Sequence, residues 1–207
     1  MIDDLNRMTD TKQKILDTAE RLFGEQGYAA TSLRQVIAAA EVNVAAVHYH
    51  FGSKEDLLDA VVTRKAGPVT VARMERLDRL EAETKPVDVE RVLEAFLLPT
   101  AEMAEHHPTF VRLMGRMLTE GMMPRIVEKH FQESAMRFIA ALMRALPHLG
   151  REELMWRVHF MIGAMAHTLT GQPVMHMVDA STDFPTRVRR LVKFLGAAFR
   201  APAEEKN

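Results

Sequence analysis

Residues 43–54 read Asn-Val-Ala-Ala-Val-His-Tyr-His-Phe-Gly-Ser-Lys, a segment in which two imidazoles, a phenol and an ammonium stand among small apolar side chains. On a helix, Val44, Ala45, His48 and Tyr49 share the outward face, while Val47 and Phe51 point in. A Val-Ala-Ala face holds no acid, base or nucleophile and is poor chemistry for a catalyst. Its smallness suits a groove. The helix backbone can sit deep in the major groove, Val44 and Ala45 can touch a thymine methyl, and His48 can hydrogen-bond a base edge such as guanine N7 or O6. The competing reading is a plain small helix inside a helical bundle. The other reactive residue types are badly placed for chemistry of their own. Of nine histidines, His106 and His107 are adjacent and point about 100° apart on a helix, and His159 and His167 are separated by about 12 Å of helix rise. Neither pair closes on one ion, and with no cysteine, no His-x-x-x-His and no His-Glu-x-x-His the expectation is no metal. A Gly-rich phosphate loop and a Gly-x-Ser-x-Gly elbow are also missing, so no cofactor is expected and an enzyme is only a residual reading.

The elements that must position this segment are legible from local signals. Asp10 with Gln13 three residues on caps a first helix, whose Ile15, Leu16, Ala19, Leu22 and Phe23 form an apolar stripe before Gly27 stops it. Ser32 and Gln35 make a capping box ahead of Leu33, Val36, Ile37 and Ala40. The chain turns through Glu41 and Val42, and Asn43 caps a second short helix that Gly52 can end. Ser53 and Asp56 repeat the capping spacing and open a long helix. Together these are a helix-turn-helix with a scaffold helix before it and a connecting helix, 53–80, after it. Gly67-Pro68 should kink that connector, because proline removes one helical hydrogen bond.

Composition bounds the rest. The chain has 207 residues, 47% of them hydrophobic and 27% charged, an ordinary globular balance with room for two domains. The net charge of −1 argues against coating nucleic acid by bulk electrostatics, and residues 1–64 carry seven basic against ten acidic side chains. Within residues 26–54, however, Glu41 is the sole acid against Arg34 and Lys54, so DNA contact must come from a small local surface. Lack of cysteine, of a basic leader and of a membrane span fits a cytoplasmic protein with no membrane partner.

The run Ile15-Leu16 through Phe23, with Gly27-Tyr28, Thr31-Ser32 and Tyr49-His50-Phe51-Gly52-Ser53-Lys54, resembles the N-terminal domain of TetR-family transcriptional regulators. The resemblance implies an all-α fold: a three-helix DNA-binding domain at 9–52 and a larger helical ligand-binding and dimerisation domain at 53–200. It implies double-stranded operator DNA as partner. The DNA-facing set is then Ser32, Arg34, Val44, Ala45, Ala46, His48, Tyr49, His50 and Lys54. Tyr49, His50 and Lys54 fall at positions similar to those with which the family holds the DNA backbone, and Arg34 can do the same. For His50, a half-buried imidazole satisfied by a backbone carbonyl competes with phosphate contact.

Beyond the connector, helices are expected near 88–105 with a kink at Pro99, 108–121, 124–146, 151–171 and 183–200, with no sheet and a soft linker at 81–85. The segment 151–171 shows no polar face, which suggests one side against its own core and another against a partner. A homodimer through 151–171 and 183–200 follows, since two operator half-sites need two recognition helices about 34 Å apart. Arg187–Lys193 reads as the solvated side of a packed helix.

Fifteen methionines suit either a forgiving core without a cavity or an adaptable pocket. The pocket reading places Phe96, Met103, Phe110, Met114, Trp156 and Phe160 around an apolar ligand, with Arg112, Arg116 or Arg157 on an anionic head group. The run Trp156–Gly171, with Asn43–Val47 and Gly67-Pro68, is also similar to fatty-acid-responsive TetR-family regulators of the PsrA type. That similarity implies a fatty acid or acyl-CoA effector releasing a repressor from a palindromic operator. A planar aromatic or drug-like ligand is the runner-up, and an enzyme or ligand-carrier with a vestigial helix-turn-helix is the rival from another class.

Overall fold

A computed structural model describes residues 2–83, 87–170 and 181–203, and among them there are ten helices and no strand. The helices are α1 (Ile2–Gln26), α2 (Leu33–Ala40), α3 (Val44–Phe51), α4 (Lys54–Glu81) and α5 (Val89–His106). They continue as α6 (Pro108–Thr119), α7 (Met123–His130), α8 (Gln132–Ala145), α9 (Arg151–Thr170) and α10 (Phe184–Arg200). The expected linker residues 84 and 85, Gly171 and tail residues 204–207 lie outside the described residues.

The chain packs as two compact units, one of residues 1–67 with 107–126 and the other of 68–106 with 127–207. Packing thus changes hands within α4 at Gly67-Pro68, whereas the functional division expected above falls at 52/53.

In the first unit the stripe of α1 is buried as its spacing dictates, with Ile15, Ala19 and Phe23 wholly inside beside Val36, Val47, Leu57 and Leu58. Two capping signals act as read: the Ser32–Gln35 box is closed in both directions, and the Asn43 side chain accepts from the Ala45 N–H at 2.9 Å. Asp10 caps nothing, because α1 begins eight residues earlier and carries it inside the helix. Glu41, at φ 51°, takes the left-handed turn between α2 and α3. α6 lies along α1 so closely that a Cβ on Gly24 would stand 3.0 Å from the Thr109 carbonyl oxygen.

In the second unit α5 is the central element, with α8, α9 and α10 against it and the Phe96 and Phe138 rings stacked at 4.1 Å. α4 runs as one helix through Gly67 and Pro68, and α5 likewise contains Pro99. The helix expected at 124–146 is two, broken at Phe131, whose φ of −129° leaves the helical region and whose carbonyl accepts from Ser134 Oγ. Along α9, Leu154, Val158, Met161 and Leu169 are buried while Met155, Trp156, His159, Phe160, Gly163 and His167 are exposed. In a single chain this helix has one inner face, although its residue types are apolar all round. On α10, Val188, Leu191 and Val192 are buried and Arg189, Arg190 and Lys193 exposed, as a packed amphipathic helix requires.

Candidate nucleic-acid interface

The caps fix α3 at both ends and the core fixes its roll. Val47 and Phe51 are buried, so the opposite face is turned outward: Val44 is 54% exposed, Tyr49 73% exposed, and Ala45 and His48 are exposed with them. Ala46 and His50 are half-buried, the His50 ring lying 5.2 Å from Tyr49, edge to face. Tyr49 therefore presents its phenol to solvent, while His50 has the partly buried setting that competes with a phosphate contact.

At the C-terminus of α3 the Gly52 N–H donates to the His48 carbonyl at 3.0 Å, and Gly52 stands at φ 71°, which a side chain would strain. The Gly52 carbonyl in turn accepts from His48 Nδ1 at 3.2 Å. Ser53 then caps α4 by accepting from the Asp56 N–H at 3.0 Å. Lys54, the first residue of α4, is turned back toward the segment before α2. Its Nζ lies 4.2 Å from the centre of the Tyr28 ring and 3.5 Å from the Ala29 carbonyl oxygen. Burial there lowers the Lys54 ammonium below its ordinary value against an opposing pull from Glu120, and burial raises the Tyr28 phenol. On α2, Arg34 is exposed, and the Ser32 side chain is engaged with Gln35 at the helix start. Sequence spacing could not reveal Tyr28 and Ala29 as the resting partners of Lys54, since they lie about 25 residues back along the chain.

The residues expected around an effector are divided between the two compact units. Phe110 is buried in the first unit, with Met114 half-buried and Arg112 exposed, its Nη2 donating to Thr109 Oγ1. Arg116 donates to the carbonyls of Gly24 and Glu25 at 3.0 and 2.6 Å, closing the end of α1, whose own last turn has no basic residue. In the second unit Phe96 is buried and Met103 half-buried, whereas Trp156 and Phe160 are 54% and 64% exposed and stacked on each other at 5.9 Å. Arg157 is buried and donates to the carbonyls of Ala198, Phe199, Ala201 and Pro202 and to Glu153, which makes it the clamp on the end of α10.

A cavity of about 470 Å³ in the second unit is lined by Thr70, Glu128, Lys129, His130, Gln132, Glu133 and Met136, none of them in the expected set. A residue that was missed is Arg73. It is wholly buried, donating to the Phe96 carbonyl and Thr100 Oγ1 with its guanidinium 3.7 Å over the Phe96 ring, and burial pushes it down to about 9. Its signal was present, since it interrupts the inward series Val69, Leu77 and Leu80 at helical spacing. Among the described residues no group of three His, Cys, Asp or Glu could hold a metal, and no helix is long and apolar enough to cross a membrane.

With this geometry in view, residues 15–61 match the bacterial regulatory proteins of the tetR family, and residues 93–198 match a tetracyclin repressor-like C-terminal domain. The chain is 44% identical over 52 residues to the HTH-type transcriptional regulator AcrR of Shigella flexneri, covering 25% of this chain and 24% of that one. It is 32% identical over 111 residues to the HTH-type transcriptional repressor Rv3405c of Mycobacterium tuberculosis, covering 48% and 55% of the two chains. Its match therefore spans well under two thirds of either relative's length. The fold is shared with the fatty acid degradation regulator FadR of Bacillus halodurans at a TM-score of 0.64 and 15% identity, over 92% of this chain and 96% of that one. Two family domains in order, on an all-helical chain with an outward-facing α3, carry one conclusion: the chain belongs to the TetR family of bacterial regulatory proteins, which are transcriptional regulators and not enzymes.

Proposed function

We propose that the protein is a sequence-specific transcriptional repressor that binds a pseudo-palindromic operator as a homodimer and is released by a small apolar or acyl ligand. The observation that carries this reading is α3. It is capped at Asn43, buried through Val47 and Phe51, and exposes the small apolar Val44 and Ala45 together with the hydrogen-bonding tips of His48 and Tyr49. In DNA, Val44 and Ala45 meet base edges, Tyr49, His50, Arg34 and Lys54 hold phosphates, and Ser32 and Ala46 lie alongside. Lys54 leaves the Tyr28 ring to do so. Exposed Trp156 and Phe160 on α9 and Phe194 on α10 supply the apolar face for a second copy.

The acyl effector is favoured by the similarity of 156–171 to fatty-acid-responsive regulators and by the name of the Bacillus halodurans neighbour. Because Arg116 and Arg157 are engaged with helix-end carbonyls, the exposed Arg112 is the one of the expected three not tied to a helix end and is the first choice for a head group.

Genomic footprinting tests the reading: discrete protected sites are expected, and a ligand-carrier with a vestigial helix-turn-helix would give none. Lys54→Ala should weaken every sequence alike, because a phosphate contact carries no base information. Titration with dodecanoate and dodecanoyl-CoA should lower operator affinity roughly 5–150-fold, the range of a coupling of about 1–3 kcal/mol. A change within twofold for these and for a planar aromatic would reject the effector.

A further inference from the structure

We propose, on the strength of the operator reading above, that His48 reads DNA as a hydrogen-bond acceptor, selecting an adenine or cytosine amino group in each half-site and rejecting guanine. A carbonyl oxygen has only lone pairs, so the 3.2 Å contact between His48 Nδ1 and the Gly52 carbonyl exists as a hydrogen bond only when the hydrogen is on Nδ1. The neutral ring carries one N–H, so Nε2 is left with a lone pair and no hydrogen.

The receiving carbonyl is well fixed. Gly52 donates its own N–H back to the His48 carbonyl at 3.0 Å, and its φ of 71° is a conformation that glycine holds without strain. The imidazole is thus tied by one nitrogen to the end of its own helix. Its other nitrogen, on the far side of the ring, has no hydrogen-bond partner among the described residues, on a side chain that is exposed.

Val44 and Ala45 lie one turn earlier on the same face, so His48 meets the groove wherever they do. In the major groove adenine N6 and cytosine N4 offer hydrogens, whereas guanine offers only the N7 and O6 lone pairs. An acceptor nitrogen therefore pairs with the first two and opposes the third. Residue type alone had suggested guanine, and the hydrogen bond to Gly52 reverses that preference.

The test uses the full-length chain and a duplex selected from a random pool. At each adenine and cytosine of the selected half-site the exocyclic amino group is deleted in turn, using purine or 2-pyrimidinone nucleosides. One such deletion should weaken the wild type by about three- to tenfold, the worth of one hydrogen bond, and leave His48→Ala unaffected. His48→Arg, which can only donate, should select guanine at that position. Circular dichroism of both variants should match the wild type, since the side chain is exposed.

Amino deletions that are harmless everywhere, with 7-deazaguanine weakening the wild type, overturn the proposal because Nε2 then donates. Sensitivity lost only at a methylphosphonate linkage overturns it in favour of phosphate contact, and so does His48→Ala with unchanged affinity for every duplex. Failure of the wild type to enrich any sequence has a different signature, since it rejects operator binding itself and takes the role of His48 with it.

Discussion

Arg112, Arg116 and Arg157 show what a single residue type cannot say. Each is a long cation in a helix, and by charge alone each could face an anionic ligand. Two of them are instead engaged with backbone carbonyls that a helix end leaves without intrahelical partners. The partners lie about 90 residues away in sequence for Arg116 and about 40 for Arg157, so no local pattern could identify them. Arg157→Met should lower the unfolding free energy by about 3 kcal/mol, because a charged donor to several carbonyls is lost from a buried site. Urea denaturation measures it, and a loss below about 1 kcal/mol would mean the carbonyls find other partners. Glu41 is the opposite case, a residue in a conformation that does not suit it. At φ 51° its Cβ crowds the following carbonyl, and its ion pair with Lys14 is solvent-exposed at 3.7 Å. Glu41→Gly should therefore raise stability by about 0.5–1 kcal/mol, seen as a higher thermal midpoint with unchanged helicity.

At the scale of elements, what was legible is what is encoded within four residues. The Ser32–Gln35 box, the Asn43 cap, Pro108 at the start of α6 and the stripe of α1 each act through neighbours along the chain, and each lies where its spacing puts it. What failed depends on distant partners or on continuation. Asp10 has the right type for a cap but a helical chain before it, and nothing in Lys129-His130-Phe131-Gln132-Glu133 announces the break between α7 and α8. The partner of α6 was equally hidden: it packs with α1 in the first unit, far back along the chain. Gly24 is the position that allows this approach. Gly24→Val would drive side-chain carbons into the Thr109 backbone and should cost about 1–3 kcal/mol. A matching drop in the urea midpoint is expected, whereas a neutral or stabilising effect would show that α6 can move off α1 freely.

For the whole molecule, the surface left by folding one chain bears on the proposed pairing of copies. Trp156 and Phe160 on α9 are more than half exposed, as is Phe194 at 68% on α10, and these two helices pack against each other in the same unit. Large aromatic side chains clustered on a surface are costly to leave in water, at about 25 cal/mol per Å² of apolar area, and mark an interaction face. On α10 the basic residues Arg189, Arg190 and Lys193 are exposed too, as the polar rim of an interface would require. If two copies join through α9 and α10, the contact is isologous, with each aromatic meeting the same patch across a two-fold axis, which is also the symmetry a pseudo-palindromic operator demands. Phe160→Glu and Phe194→Glu each place a charge on an exposed aromatic position of these two helices without touching a buried one. Sedimentation at micromolar concentration should then show the wild type as a dimer and the double variant as a 23.4 kDa monomer, with helical circular dichroism retained in both. Operator affinity should fall with the dimer, since one α3 reaches only one half-site, and should recover partly when protein concentration is raised. A double variant that stays dimeric would place the interface elsewhere, and a wild-type chain that sediments as a monomer while protecting a palindromic site would remove the need for this interface in DNA binding.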